Sequence, residues 1–277
     1  MKSAFLLPYI GPLPPFLAFW AKSCETNAYH FHWYVYSDHA ATIRQINSAV
    51  TIIPYQFEEM LHDFKSILGI EINHPTLRML CNYRLLFYFL RRDREPLDQY
   101  RFIGYTDMDM IYGDLFRFLP PQMERYALIS ADPGHPCGPF TMMRRDRVMA
   151  LQHCAAVRQA MNLAHYRAFD ESKEFLDILS EGGPSWCQPD GLQPAITRKF
   201  NRHRIFSIWD HGRLTIYDNL GHRQEGGFHH FSRYKDRKTF RVQADPQQHS
   251  RWGTYKNGII PISGRGTFLR MLYSMMV

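Results

Sequence analysis

Apolar strands alternate with helical stretches along the first half of the chain, and this alternation restricts the fold more than any other feature. Ala4–Leu7 reads as a short buried strand. Pro14-Pro15 then opens a helix, because proline is tolerated in a first turn, with Phe16, Leu17 and Trp20 on its buried face. Phe31–Tyr36 is aromatic and β-branched and ends at Ser37-Asp38, and Ala49–Ile53 is a further strand stopped by Pro54. Phe57–Leu68 and Thr76–Arg91 carry helical spacing, with Leu80, Tyr83, Leu86 and Phe87 forming one apolar stripe of the second. Arg101–Tyr105 is a strand that runs straight into Thr106-Asp107-Met108-Asp109, and Tyr126–Ser130 is the next. Strand–helix order of this kind predicts an α/β fold around a mixed, mostly parallel central sheet. In such sheets ligands bind beyond the carboxyl ends of the strands. That rule gathers Pro8–Gly11, Asp38 and Asp107–Asp109 at one edge, although they lie far apart in sequence.

The second half is less regular. Arg145–Met161 and Glu171–Leu179 read as helices, and Gly182-Gly183-Pro184 breaks the chain. Ile205–Trp209 and Leu214–Tyr217 read as strands, Phe228–Phe231 as a strand or loop dense in His and Phe, and Gly264–Met276 as a basic amphipathic helix. Nothing between them has the composition of a linker. The expected organisation is one domain over 1–240 with a basic C-terminal extension over 241–277. Hydrophobic residues make up 45% of the 277 and charged residues 21%, which excludes a disordered chain. No run of 18 apolar residues occurs, so no membrane-spanning helix is expected. The apolar stretch 3–21 is interrupted by four prolines and preceded by one lysine, unlike a signal peptide. The five cysteines are scattered and lack a C-x-x-C, which argues against a disulfide framework or a cysteine zinc site. The expected location is cytoplasmic.

Charge is uneven. The net charge is +7, and residues 201–277 hold 13 Lys/Arg against 5 Asp/Glu. That excess suits an anionic partner: the phosphates of a small ligand, a membrane face, or nucleic acid. A solvated basic surface is the plain alternative.

Four segments can carry chemistry. In Tyr105-Thr106-Asp107-Met108-Asp109, two carboxylates one residue apart at a strand end can share a divalent cation, and hard oxygen ligands suit Mn2+ or Mg2+. A bare D-x-D also arises in turns and helix caps. Phe228-His229-His230-Phe231 offers an imidazole to such a cation, with Arg233, Lys235, Arg237 and Lys238 behind it for phosphate oxygens; ordinary strand residues before a solvated loop would look the same. Cys81-Asn82-Tyr83-Arg84 can present Asn82 and Arg84 to a nucleotide or its phosphates, or can be a polar helix face. Gly138-Pro139-Phe140-Thr141 allows close approach of a sugar, and Asp170 and Glu171 can orient hydroxyls or act as a base. Their plain reading is an N-cap and a first-turn acid. No P-loop, dinucleotide fingerprint, nucleophile elbow or H-E-x-x-H is present.

In this order the pieces resemble the GT-A glycosyltransferases, and more narrowly a bacterial group of predicted glycosyltransferases known as a domain of unknown function. The resemblance rests on Pro8-Tyr9-Ile10-Gly11, Ser23-Cys24, Ser37-Asp38, Cys81-Asn82-Tyr83-Arg84, Ile103–Asp114, Gly138–Thr141, Phe169-Asp170-Glu171 and His230-Phe231-Ser232-Arg233. It spans roughly residues 4–240. Asn82, Arg84 and Pro139 depart from the group's acid, lysine and histidine. The resemblance implies a Rossmann-like nucleotide-sugar-binding fold. Pro8, Tyr9, Gly11 and Asp38 would line the base and ribose, with Asn82 and Arg84 nearby. Asp107 would contact ribose or metal, and Asp109 and His230 would be metal ligands. Arg233 and Lys235 would face the diphosphate, and Asp170 and Glu171 the sugar or acceptor. It implies hexose transfer from a nucleotide sugar, a UDP-sugar first, to a hydroxyl of a glycan or lipid-linked acceptor in surface polysaccharide or lipopolysaccharide synthesis. Mn2+ or Mg2+ would be the cofactor, and the basic end would contact anionic membrane.

Two rivals stand beside this reading. A sugar-nucleotide nucleotidyltransferase needs a basic, glycine-rich loop after the first strand, and residues 8–15 have no basic side chain. A non-catalytic protein would bind glycan, or bind nucleic acid through the basic quarter. The near-neutral first 200 residues speak against a nucleic-acid platform, so none is expected as a partner.

Overall fold

The computed structural model describes residues 2–187, 192, 205–235 and 237–276, leaving aside the side chains of 233, 234, 265 and 274–276. In chain order the strands are β1 (Ser3–Tyr9), β2 (Phe31–Ser37), β3 (Arg44–Gln45), β4 (Val50–Pro54), β5 (Phe102–Thr106), β6 (Met110–Tyr112), β7 (Leu128–Ser130) and β8 (Phe140–Arg144). They continue as β9 (Ser185–Cys187), β10 (Ile205–Asp210), β11 (Arg213–Asp218), β12 (Arg223–Glu225), β13 (Phe228–His230), β14 (Arg241–Val242), β15 (Arg251–Tyr255) and β16 (Gly258–Pro261). The chain divides into two compact units. One holds Met1–Leu13, Ala28–Asp107 and Pro120–Gln188; the other holds Pro14–Asn27, Met108–Leu119 and Pro189–Val277.

The first unit is built on an eight-stranded sheet in the order β3-β4-β2-β1-β5-β8-β7-β9. Its centre, β4-β2-β1-β5, is parallel, whereas β8 is antiparallel to both β5 and β7 and β3 is antiparallel to β4. The sheet is thus mixed, with a parallel centre, antiparallel pairs on either side of it and a further parallel pair, β7 with β9, at one edge. β1 is apolar on both faces, as a strand covered on both sides must be. Ala4 and Leu6 join a core with Tyr36, Phe64, Phe87 and Phe175, while Phe5 stacks on Phe31 and Trp33 and meets Phe140.

Helix Phe57–Leu68 has the expected bounds. Glu58 and Glu59 sit in its first turn, and Gly69 closes it in the left-handed conformation. The single helix expected over 76–91 is instead a chain of short turns: Leu77–Met79, Leu80–Tyr83, Arg84–Leu86 and Phe87–Arg91. Residues 82–91 are all buried, so the segment has no solvent face and no amphipathic helix to form.

Gly104, at the centre of β5, pairs with Phe5 on one side and Met142 on the other. A Cβ there would stand 2.5 Å from the Thr141 carbonyl oxygen and 2.9 Å from the Phe5 ring. The obstruction includes backbone, so Gly104→Ala is expected to cost about 1–3 kcal/mol by overpacking. Urea unfolding measures it, and a wild-type midpoint would contradict the close approach.

The second unit carries a six-stranded sheet in the order β12-β11-β10-β15-β16-β14 and the short pair β13-β6. Residues 241–261 supply β14, β15 and β16, half of the strands in the sheet that residues 205–225 complete. The segment expected as a C-terminal extension is therefore integral to this sheet, because β15 hydrogen-bonds β10 directly. Among the described residues no helix is long and apolar enough to cross a membrane. All five cysteines are free.

Candidate metal and ligand site

Parallel pairing of β1 with β2 sets Tyr9 opposite Ser37, so Pro8, Tyr9, Gly11 and Asp38 come to the carboxyl ends of neighbouring strands, as expected. Gly11 has a φ of +108°, which a side chain would disfavour, and its N–H donates to Asp38 Oδ1 at 2.8 Å. Asp38 thereby fixes the turn after β1 and keeps Oδ2 for other partners.

β5 delivers Asp107 immediately after its last residue. The Arg84 guanidinium lies 4.1 Å above the Tyr105 ring, donates to Asp107 Oδ1 at 3.1 Å and donates to Asp170 Oδ2. Tyr105 OH in turn donates to the Asp170 carbonyl at 2.7 Å. Asp170 is fully buried, and its Oδ1 and the Arg84 Nε have no hydrogen-bond partner. Burial pushes the Asp170 pKa up, and Arg84 only partly offsets it. Glu171 is exposed as a residue, but its Oε1 accepts the Gly138 N–H at 2.7 Å. Partial burial of its carboxyl, then the charge of Asp170, raise its pKa. Thr106 Oγ1 donates to the Pro139 carbonyl and ties the Gly138 loop to the end of β5.

Two residues expected to face a nucleotide do other work. Asn82 is fully buried, and its amide nitrogen donates to the carbonyls of Ala160 and Arg167. It ties the end of helix Ala155–Ala160 to the segment at Arg167 from inside the core. Arg84, expected to reach phosphates, spends its charge on Asp107 and Asp170 instead. In both cases the segment lies in the core, where a polar side chain must find protein partners.

In the second unit β6 follows the second carboxylate directly. β13 pairs antiparallel with it, His230 opposite Met110 and His229 opposite Ile111, and the Phe231 N–H donates to the Asp109 carbonyl. Neighbouring strand residues point to opposite faces, which decides between the two histidines. His230 Nε2 lies 3.4 Å from Asp109 Oδ1. His229 is buried on the other side with its Nδ1 2.7 Å from Ser207 Oγ. Lys235 Nζ stands 2.9 Å from Asp109 Oδ2. Burial would raise the Asp109 pKa, but the charges of His230 and Lys235 outweigh it and hold this carboxyl well below the usual range. The side chain of Arg233 lies outside the described residues.

Only Met108 separates Asp107 from Asp109, so the two carboxylates are neighbours by chain continuity. One ligand atom from each of Asp107, Asp109 and His230 lies within 4.8 Å of the others. Two carboxylates and an imidazole form a donor set that Mn2+ accepts, and Mg2+ less readily because of the nitrogen. Tyr105, Ser207 and the Gly138 N–H were not foreseen as parts of these networks, and no sequence signal separates them from other core or loop residues.

These features define a mixed α/β protein with an Asp–Asp–His cluster where a central parallel strand ends. The chain belongs to DUF6625, a family of unknown function, whose profile matches residues 5–262. No curated protein matches it.

Proposed function

We propose that this chain is a metal-dependent glycosyltransferase of the GT-A type, moving a hexose from a nucleotide sugar, a UDP-sugar first, to a hydroxyl of a glycan or lipid-linked saccharide. The observation that carries the reading is the Asp107–Asp109–His230 cluster at the end of β5. The parallel centre of the sheet and the Gly11–Asp38 turn at the same strand ends support it, since ligands of open α/β sheets bind there.

In this reading Asp107, Asp109 and His230 hold Mn2+ or Mg2+. The cation supplies charge neutralisation for the departing diphosphate. Arg84 holds Asp107 in place through a guanidinium itself fixed by Asp170 and the Tyr105 ring. Lys235, beside Asp109, directs its ammonium at the diphosphate. Asp38 and Tyr9 take the nucleoside end. Glu171 serves the acceptor hydroxyl as proton acceptor: it is the exposed carboxylate of its pair, and a raised pKa makes it a stronger base. Asp170 is sealed from an acceptor and acts as a positioning residue. Most of the rate gain comes from orientation and from fixed charge.

Isothermal titration of UDP tests this with Mn2+ and with EDTA, on wild type and Asp109→Ala. Wild type is expected to bind UDP only with metal. Asp109→Ala is expected to lose roughly 100-fold or more, since residues that merely support a metal ligand are already worth about 10–100-fold. UDP binding that ignores both EDTA and the substitution, or no binding with Mn2+ present, would overturn the proposal.

A further inference from the structure

Helix Arg265–Met276 packs on the six-stranded sheet by one face. Met271 is fully buried, and Phe268 meets Phe206 and Tyr217 edge-on. That side of the helix is therefore already used. Leu269 and Tyr273, spaced i and i+4, lie in line on another face and are 51% and 68% exposed.

One exposed leucine is ordinary on a protein surface. The charge of the segment that carries this one is not ordinary. The last acidic residue of the sequence is Asp245, and residues 246–277 contain Arg251, Lys256, Arg265 and Arg270 with no Asp or Glu. Arg270 is exposed, whereas Arg251, also exposed, pairs with Asp210 at 3.4 Å. The imbalance belongs to this whole unit, which holds 17 basic and 9 acidic residues, against 16 and 17 in the first.

We infer that the outward face of this helix docks on an anionic lipid surface. Leu269 and Tyr273 enter the boundary between headgroups and acyl chains, and Arg270, next to Leu269 on the same helix, faces lipid phosphates. Apolar side chains flanked by cations on an interfacial helix are the combination that binds such a surface. Polyanionic nucleic acid would use the cations but would gain nothing from Leu269. A single exposed tyrosine is no stacking platform. This inference stands without the donor reading, since lipid binding is read with no nucleotide present.

Flotation of the full chain with phosphatidylcholine vesicles, with and without an equal part of phosphatidylglycerol, tests it. Wild type is expected to float only with the anionic vesicles and to be released by salt. Arg270→Glu is expected to weaken partitioning about five-fold or more, the value of one cation near such a surface. Leu269→Ser with Tyr273→Ser should weaken it about ten-fold, the scale of withdrawing one large apolar side chain from a lipid interface. Unchanged melting temperatures would show that both proteins remain folded, as expected for exposed positions. Three results would each overturn the inference: no flotation of wild type, variants that float as wild type does, or retention on RNA with none on vesicles.

Discussion

Arg84→Met is expected to lower the unfolding free energy by about 3–5 kcal/mol, the cost of taking one partner from a buried ion pair. The Arg84 side chain is 6% exposed and that of Asp170 is not exposed at all. Without the guanidinium, Asp170 keeps its charge in the core with no counter-ion, or takes a proton to avoid it. Asp107 is 32% exposed and can fall back on water, so the loss falls on Asp170. Asp170→Asn in the Arg84→Met background should recover a large part of the deficit by removing the stranded charge. The two changes should therefore couple strongly in a double-mutant cycle read by urea unfolding. Lowering the pH should shrink the Arg84→Met deficit, because the folded variant then binds a proton at Asp170 more readily than the unfolded chain does. A single-variant cost under about 1 kcal/mol, or additive changes, would show that the pair contributes little despite its burial.

Much of the first unit is legible in the sequence because its strands are continuous apolar runs. β1, β2 and β4 lie close to the expected Ala4–Leu7, Phe31–Tyr36 and Ala49–Ile53. β8 is not legible in the same way. Its Phe140-Thr141-Met142-Met143-Arg144 follows Gly138-Pro139, which reads as a loop, and only pairing with β5 and β7 makes it a strand. In the six-stranded sheet of the second unit β10 and β11 are legible as Ile205–Trp209 and Leu214–Tyr217, and the strands from 241 onward escape for a related reason. β14 has only two residues, and β15 (Arg251–Tyr255) and β16 (Gly258–Pro261) contain Gly253, Gly258 and Pro261, which read as breaks in a strand pattern. Tertiary pairing supplies what local pattern does not.

The site divides along the same line. Asp107 and Asp109 follow an obvious strand, so their placement could be read directly. Choosing His230 over His229 required the register of β13 on β6, because two adjacent histidines have identical composition and opposite faces. Asn82 and Arg84 show the reverse failure. On an amphipathic helix they would be a solvent face. In a segment buried from 82 to 91 they are internal ties, and burial of that length is a property of the whole fold. Where strand order alone places a residue, the sequence suffices; where a side chain's partner comes from a distant element, it does not.

His229 leads to the second large effect, a loss of stability in mild acid. It is 1% exposed, with its Nδ1 beside Ser207 Oγ, and burial pushes its pKa down to about 3. The unfolded chain binds a proton at this ring near pH 6.5, while the folded chain does so only near pH 3. Between those values the unfolded state holds more protons, so folding weakens as pH falls. From a single group the loss amounts to about 2 kcal/mol at pH 5 and about 4 kcal/mol at pH 3.5. Asp109 acts in the same direction further down, since its depressed pKa gives stability that disappears as the carboxylate is protonated. His229→Gln keeps a polar group for Ser207 but cannot titrate. Urea unfolding at pH 7 and pH 5 should therefore show a pH slope flatter by about 2 kcal/mol in the variant than in wild type. Equal slopes would mean that His229 is charged in the folded protein, and the burial of this ring between β13 and β10 would then need another explanation.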